Sequence, residues 1–295
     1  MNVVEIRGLT KFYGDVAGIE NLDLDIKAGE VVGFLGPNGA GKSTTIRTLL
    51  GLISATSGSA TFDGVDALTA NPELRKSIGY LPGAPTYYNK YKALDFLRMF
   101  AEIRGSNCDA NILDYAKRLN LDLNKKIGEL SKGNRQKVAV IQAFMHQPKI
   151  LFLDEPTSGL DPLVQIEFEK ILDEAKARGA AVLLSSHVMS EVEHLADRVA
   201  IINRGKLMVF EDIATLRART IRKIDLHFAK VTSPDRFKSL PSVSEVDIHG
   251  KRITCTVIGS EHELLKVAVE LGVENVRTHE TSLEDIFLAE IGKNE

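Results

Sequence analysis

Short apolar runs alternate with longer helical patterns through the first two thirds of the chain. Four runs of four or five residues are apolar throughout, as strands buried on both faces are: 31–35, 150–153, 181–184 and 199–202. Helical patterns follow two of them, at 42–52 and 162–177, and Gly179 stands where the second helix should stop. The alternation predicts an α/β fold with a parallel sheet and crossover helices.

Three other stretches follow different patterns. Apolar and polar residues alternate at 3–6 and 22–26, which predicts half-exposed antiparallel strands. The stretch 90–147 is mostly helical in pattern and is interpreted as a subdomain inserted into the α/β core. From about 221 the alternation at 224–228, a hairpin pattern around His249 and Gly250, and helical patterns at 261–271 and 282–291 predict a small α+β domain. The predicted domains are therefore 1–219 and 220–295.

The composition favours a globular protein and disfavours a disordered chain or a strongly basic nucleic-acid binder. The chain has 295 residues, 44% of them apolar, so a large core is feasible and disorder is disfavoured. A net charge of −3 disfavours a strongly basic nucleic-acid binder. The two cysteines lack metal-site spacing and are interpreted as reduced cytosolic thiols. No secretion signal and no membrane-spanning run is evident, so a cytoplasmic location is expected.

A glycine-rich loop after the first buried strand carries the strongest chemical signal. It fits G-x-x-x-x-G-K-[ST] and comprises Gly36, Pro37, Asn38, Gly39, Ala40, Gly41, Lys42 and Ser43, followed by Thr44. A strand before it and a helix after it let backbone N–H groups and the helix dipole face one anion. We expect Lys42 to reach the β- and γ-phosphates of ATP and the Ser43 hydroxyl to bind Mg²⁺.

Two carboxylates end the second buried strand. Asp154 and Glu155 should lie at the carboxyl edge of the sheet, where ligands bind in such folds. Successive strand residues point to opposite faces, so the two acids have different roles. We assign Asp154 to the Mg²⁺ shell and Glu155 to the water that attacks the γ-phosphate. The alternative is a solvated end of a strand.

Together these residues resemble ABC ATPases, the ATP-binding subunits of ABC transporters, over about 3–217. The family signature is matched by Ser131, Lys132, Gly133 and Asn134. Asp161 falls where the family has its D-loop, and His187 resembles the family's switch histidine. Tyr13 stands where an aromatic of the family stacks on adenine. The alternatives are an ordinary capped helix for the signature, a structural histidine for His187 and a packed strand-end aromatic for Tyr13. The resemblance implies a P-loop ATPase core with an antiparallel β subdomain and a helical subdomain. It also implies a head-to-tail dimer in which each ATP lies between one phosphate loop and the other subunit's signature.

The chain departs from the family pattern at three positions. Lys132 replaces a glycine and Asn134 a glutamine of the signature, while Ser131 and Gly133 are kept. Gly83 stands where the family has a glutamine that contacts Mg²⁺ and signals to the membrane subunit. We therefore leave Gly83 out of the metal shell.

The resemblance also implies a transmembrane permease as partner. Three of the six tyrosines, Tyr87, Tyr88 and Tyr91, lie within five residues, in the stretch from Ala84 to Phe100 that faces the permease in the family. The alternative is core packing of these side chains. The small C-terminal domain resembles accessory domains of exporter ATPases, and its end at 282–288 resembles the ending common in that group. The expected function is thus ATP hydrolysis that drives export, on the cytoplasmic face of a membrane. The alternatives are a soluble ATPase that acts on nucleic acid or ribosomes, and an ATP-binding module without turnover.

Overall fold

The computed structural model describes residues 2–69, 71–218, 221–258 and 260–279. The chain divides into two compact units between Phe210 and Glu211. The sequence pattern places the domain boundary at 219/220, and these two residues lie outside the described chain. That boundary stays a prediction.

In the described part of the first unit, ten strands begin. They are β1 (Asn2–Tyr13), β2 (Val16–Lys27), β3 (Val31–Leu35), β4 (Ser57–Phe62), β5 (Val65–Asp66), β6 (Ile78–Leu81), β7 (Ile150–Asp154), β8 (Ala181–Ser186), β9 (Arg198–Asn203) and β10 (Lys206–Asp212). One six-stranded sheet has the order β10-β9-β3-β8-β7-β6, in which β3 pairs in parallel with β8 and β9, and β7 with β6 and β8. A four-stranded sheet has the order β2-β1-β4-β5, with antiparallel pairs.

Seven α-helices lie among the described residues of this unit. They are α1 (Lys42–Leu49), α2 (Pro72–Lys76), α3 (Ala93–Ile103), α4 (Asp109–Arg118), α5 (Lys132–Phe144), α6 (Pro162–Ala177) and α7 (Met189–Leu195). The stretch 90–147 contains α3, α4, α5 and a short 3₁₀ turn at Ile127–Glu129, as its pattern predicts. Apolar residues of both sheets and of α1 form one continuous core, which includes Phe34, Phe62 and Phe152. This core fixes α1, and with it the loop before α1, against the parallel sheet. No helix among the described residues is long and apolar enough to cross a membrane.

The second unit is built around a separate antiparallel sheet. After α8 (Ile213–Ala218) come β11 (Ile221–Phe228), α9 (Asp235–Lys238), β12 (Val243–His249), β13 (Arg252–Ile258), α10 (His262–Glu270) and β14 (Val273–His279). The sheet order is β12-β13-β11-β14, and the predicted hairpin is the β12–β13 pair. Its core packs Ile224, Leu226 and Ile253 with residues of α9 and α10. The predicted helix at 282–291, with the exporter-like ending, lies outside the described residues.

The predicted α/β class is confirmed. Strands were predicted at the positions of β3, β7, β8 and β9, and α6 has the predicted bounds. Helix α1 ends at Leu49 rather than Leu52, because Gly51 adopts a left-handed φ of 64° just after it. Sequence patterns did not predict β4, β5, β6, β10 and β14.

Candidate functional site

Four parallel strands end at one edge of the central sheet, and their last residues lead into the candidate site. Strands β3, β6, β7 and β8 are neighbours in the sheet and run in the same direction. The loop at 36–41 follows β3, Gly83 follows β6, Asp154 ends β7 and His187 follows β8. The parallel pairing thus brings residues far apart in sequence to one edge, as is usual for ligand sites in such sheets.

The glycine-rich loop curls around the amino end of α1. Gly39 and Gly41 have φ values of 81° and 111°, which L side chains rarely adopt. The Lys42 ammonium turns back into the loop and donates hydrogen bonds to the carbonyl oxygens of Gly36 at 2.6 Å and Pro37 at 3.1 Å. Burial lowers the pKa of Lys42, while the charges of Glu155 and Asp154 oppose this shift. The loop therefore places a buried amine beside the amino end of α1, which is a surface suited to an anion.

Ser43 and Asp154 form a hydrogen-bonded pair beside the loop. The Ser43 hydroxyl donates to Asp154 Oδ2 at 2.8 Å, and the Ser185 hydroxyl donates to Asp154 Oδ1. Asp154 is buried, with 5% of its surface exposed, so its orientation is set by these two bonds. Hydroxyl and carboxylate oxygens are hard donors of the type that Mg²⁺ prefers, in sites completed by phosphate oxygens and water. The pair therefore fits the metal that the sequence predicts.

Glu155 and His187 also lie together. His187 Nδ1 is 2.7 Å from Glu155 Oε1, and an ionised carboxylate can only accept, so the hydrogen lies on Nδ1. Glu155 has a left-handed φ of 51°, uncommon for a residue with a side chain. The buried Gln136 amide of α5 donates to the carbonyl oxygen of Pro156 at 2.9 Å, which fixes the loop that carries Glu155. No motif in the sequence indicated this role of Gln136.

The loop, Asp154 and Glu155 line an open cleft of about 340 Å³, whereas His187 is not among its lining residues and reaches it through Glu155. Its lining residues come from the loop, α1, the start of β2 and the ends of β6 and β7: Gly18, Asn38, Gly39, Gly41, Lys42, Ser43, Thr44, Arg47, Gly83, Ala84, Asp154 and Glu155. A Cβ atom placed on Gly83 would lie 3.2 Å from Asp154 Oδ2, so this residue borders the predicted metal position. Arg47 is a lining residue that the sequence motifs did not single out.

The signature residues lie apart from the lining of this cleft. Ser131 caps α5 and accepts a hydrogen bond from the Asn134 N–H at 3.3 Å. A Cβ atom on Gly133 would be only 2.6 Å from the carbonyl oxygen of Gly159, so the start of α5 touches the loop before α6. The alkyl chain of Lys132 runs along Gly159, at 3.7–3.8 Å from the position that a Cβ atom would take on Gly159. The start of α5, with Ser131 as its cap and Gly133 packed against the Gly159 backbone, is thus a second candidate anion site.

Asp161 and Tyr13 are also outside the cleft lining. Asp161 caps α6 by accepting a hydrogen bond from the Val164 N–H at 3.1 Å. Half of the Tyr13 surface is exposed, and its ring contacts the position of Gly18, which does line the cleft. Their predicted contacts with nucleotide stay predictions.

Comparison with known proteins gives a consistent result. The protein-family model described as "ABC transporter" matches residues 19–158. The bacitracin transport ATP-binding protein BcrA of Bacillus licheniformis is 33% identical, over 98% of this chain and 97% of BcrA. The lantibiotic transport ATP-binding protein SrtF of Streptococcus pyogenes is 36% identical, over 70% of this chain and 90% of SrtF. A solved ATP-binding subunit of an ABC transporter is 30% identical, with a TM-score of 0.69, over 73% of this chain and 92% of the other.

Proposed function

The chain belongs to the ABC transporter family as an ATP-binding subunit, and from this premise we propose that it works as one half of a dimer around Mg-ATP and drives a separate transmembrane permease. As an ABC ATPase it binds and hydrolyses ATP to drive transport. We further propose that the chain uses Mg²⁺, dimerises and docks on a permease, with the residue roles given below. The soluble alternative, acting on nucleic acid or ribosomes, is not favoured by these relatives.

The observation that carries the proposal is the arrangement of Lys42, Ser43, Asp154 and Glu155 around one cleft. We assign phosphate binding to the loop and Lys42, and Mg²⁺ to Ser43 and Asp154. When bound, Mg²⁺ would neutralise charge on the phosphates. Glu155, held by His187, accepts a hydrogen bond from the attacking water and orients it in line with the γ-phosphate.

The second nucleotide-binding element is the signature at the start of α5. Ser131, Gly133 and the first N–H groups of α5 do not line the cleft of their own chain, yet they present donors at a helix start. A second subunit, placed head to tail, would bring its cleft to this surface. Asp161 would lie near the junction, and Lys132 would add a cation there.

The proposed docking surface for the permease is the stretch from Ala84 to Phe100. Tyr88 and Tyr91 are 61% and 44% exposed and lie beside each other. Tyr87 differs, because its hydroxyl donates to the Arg135 carbonyl oxygen at 2.5 Å and its ring packs on Phe96. Core packing therefore accounts for Tyr87, and the exposed pair is the part available to a partner.

We propose export as the direction of transport and the membrane face as the location, through the permease. The support is the chain's resemblance to exporter ATPases, together with relatives named for transport of bacitracin and of a lantibiotic. The cargo does not contact this subunit in the proposed assembly.

Two variants test the ATPase assignment. Lys42→Ala should weaken ATP binding at least about tenfold, because the phosphate charge loses its buried cation. Glu155→Gln should bind ATP and dimerise but turn over at least about a hundredfold more slowly, because the water loses its acceptor. Lys76→Ala and Glu129→Gln, which change exposed residues outside the cleft lining, are matched controls. Parent-like turnover of Glu155→Gln would exclude Glu155 as the base.

Association with a permease needs a separate experiment. The tagged chain should co-purify a polytopic membrane protein from solubilised membranes, and Tyr88→Ser with Tyr91→Ser should abolish that association without lowering the melting temperature. Undiminished co-purification by the double variant would place the docking surface elsewhere. Recovery of ribosomes or nucleic acid instead would favour the soluble alternative.

A further inference from the structure

Arg47 enters the cleft from a position that the proposed function does not use. It lies in the last turn of α1, four residues after Ser43, and residues four apart share one face of a helix. It lines the cleft together with Gly83, Asp154 and Glu155. Its exposed side chain therefore borders the same cleft as the residues proposed to hold the metal and the reacting phosphate.

Tyr80 lies beside this arginine. Tyr80 is half-buried on β6, whereas Arg47 is exposed. Burial raises the pKa of Tyr80, the charge of Asp154 raises it further, and Arg47 opposes both, so the three groups are near neighbours. A guanidinium has five N–H donors, so Arg47 can donate to the phenol oxygen and to a second acceptor at the same time.

The charges of the cleft show what that acceptor would be. Among the described lining residues the charged side chains are two cations, Lys42 and Arg47, and two anions, Asp154 and Glu155. The Lys42 ammonium already donates to two carbonyl oxygens of the loop. Before a metal ion binds, Arg47 offsets the charge of one of the two carboxylates, which favours a nucleotide phosphate in the cleft. Arginine is well suited to bind phosphate, through two parallel N–H donors.

Gly83 leaves this side of the cleft open. No side chain projects from it towards Asp154 Oδ2, which would be 3.2 Å from a Cβ atom at this position. Outside the phosphate loop, Arg47 is the one cationic side chain among the described residues that line the cleft. The space beside Asp154 is thus served by a donor from α1 rather than from the segment after β6.

We propose that Arg47 binds the terminal phosphate of the bound nucleoside triphosphate and that Tyr80 positions it. The inference rests on the proposed function, because it takes the Asp154 and Glu155 side of the cleft as the place of the reacting phosphate. Arg47 is then a direct ligand of the triphosphate, and Tyr80 is a positioning residue.

The test compares two nucleotides in the full chain: ADP, and the non-hydrolysable triphosphate analogue adenylyl imidodiphosphate. Arg47→Met should raise the Kd of the analogue about tenfold and change that of ADP less than about twofold, since only the analogue has the terminal phosphate. Arg47→Lys should fall between parent and Arg47→Met. Tyr80→Phe should weaken the analogue in the same selective way, and should add nothing in the Arg47→Met background.

Arg7→Met, at an exposed arginine outside the cleft lining, is the matched control. Equal weakening of both nucleotides by Arg47→Met, or of neither, overturns the proposal. Melting temperatures equal to that of the parent exclude misfolding as the cause of a loss. Lys42→Ala separates the two levels: if it loses both nucleotides while Arg47→Met binds like the parent, only the Arg47 proposal fails, and if Lys42→Ala binds both normally, the proposed function fails.

Discussion

His146 is expected to make the stability of the protein depend on pH. It lies between α5 and β7, and its Nε2 is 3.1 Å from the Ile78 carbonyl oxygen. A carbonyl only accepts, so Nε2 carries the hydrogen and Nδ1 is the unprotonated nitrogen. Nδ1 is buried without a hydrogen-bond partner among the described residues. A proton added there would place an unpaired charge in the interior.

The pKa of His146 is lowered to about 4 by burial, with a further contribution from the charge of Arg104, while the bond to Ile78 opposes the shift. The ordinary value is about 6.5, so the unfolded chain binds this proton more readily than the folded one. The contribution of His146 to the free energy of unfolding is therefore present above pH 6.5 and lost as the pH falls towards 4. From the two pKa values, the loss is on the order of 1 kcal/mol at pH 5.5 and roughly 2–3 kcal/mol at pH 4.5.

Two measurements check this expectation. In ¹³C-histidine NMR spectra the chain has seven histidine signals, and the one missing from His146→Gln should titrate near pH 4 in the parent. In urea unfolding of the parent and of His146→Gln, the free energy of unfolding should fall less in the variant between pH 7.5 and 5.5, by on the order of 1 kcal/mol. Exposed His249→Gln serves as the control and should behave like the parent. A midpoint near 6.5 for His146 in the folded chain would refute the reasoning.

Three further substitutions test the geometry around the cleft. Gly133→Ala would place a methyl group 2.6 Å from the Gly159 carbonyl oxygen. ATP-dependent dimerisation, measured by light scattering, should therefore weaken at least about tenfold, while the monomer still binds ATP. Normal dimerisation would contradict the role of this contact. Gln136→Leu leaves the Pro156 carbonyl oxygen without its donor, which should cost about 1–3 kcal/mol in urea unfolding and lower the ATPase rate, and unchanged values for both would show that the bond is dispensable. His187→Ala should reduce ATP turnover at least about tenfold with little change in ATP affinity, and an equal loss of affinity would point to a binding role instead.

Buried strands of the parallel sheet that carry an apolar run were predictable from the sequence, and strands β4 and β6 were not. Strands β3, β7 and β8 are buried along their whole length and begin with apolar runs, which give a strong local signal. Strand β6 has only four residues, one of them Gly79, and lies at the edge of the sheet. Strand β4 starts with Ser57-Gly58-Ser59 and owes its form to pairing with β1. Such strands are specified by their partners rather than by their own residues.

The candidate site divides in the same way. Lys42, Ser43, Asp154 and Glu155 stand in contiguous motifs, so sequence spacing alone identified them, and the parallel sheet brings them together. Gln136 acts on a carbonyl group twenty residues away, and no local pattern marks that contact. Arg47 could have been found from its spacing, because four residues after Ser43 on a helix is one turn along the same face.

The hydrogen bond from Tyr87 to the Arg135 carbonyl oxygen has a consequence for how two subunits would exchange information. Tyr87 belongs to the stretch proposed to meet the permease, whereas Arg135 lies in the first turn of α5, beside the signature. In the proposed dimer this turn faces the nucleotide held by the opposite subunit. A movement of the permease on one subunit would then act first on the ATP bound by the other subunit. Each permease contact would therefore regulate hydrolysis at the opposite nucleotide site.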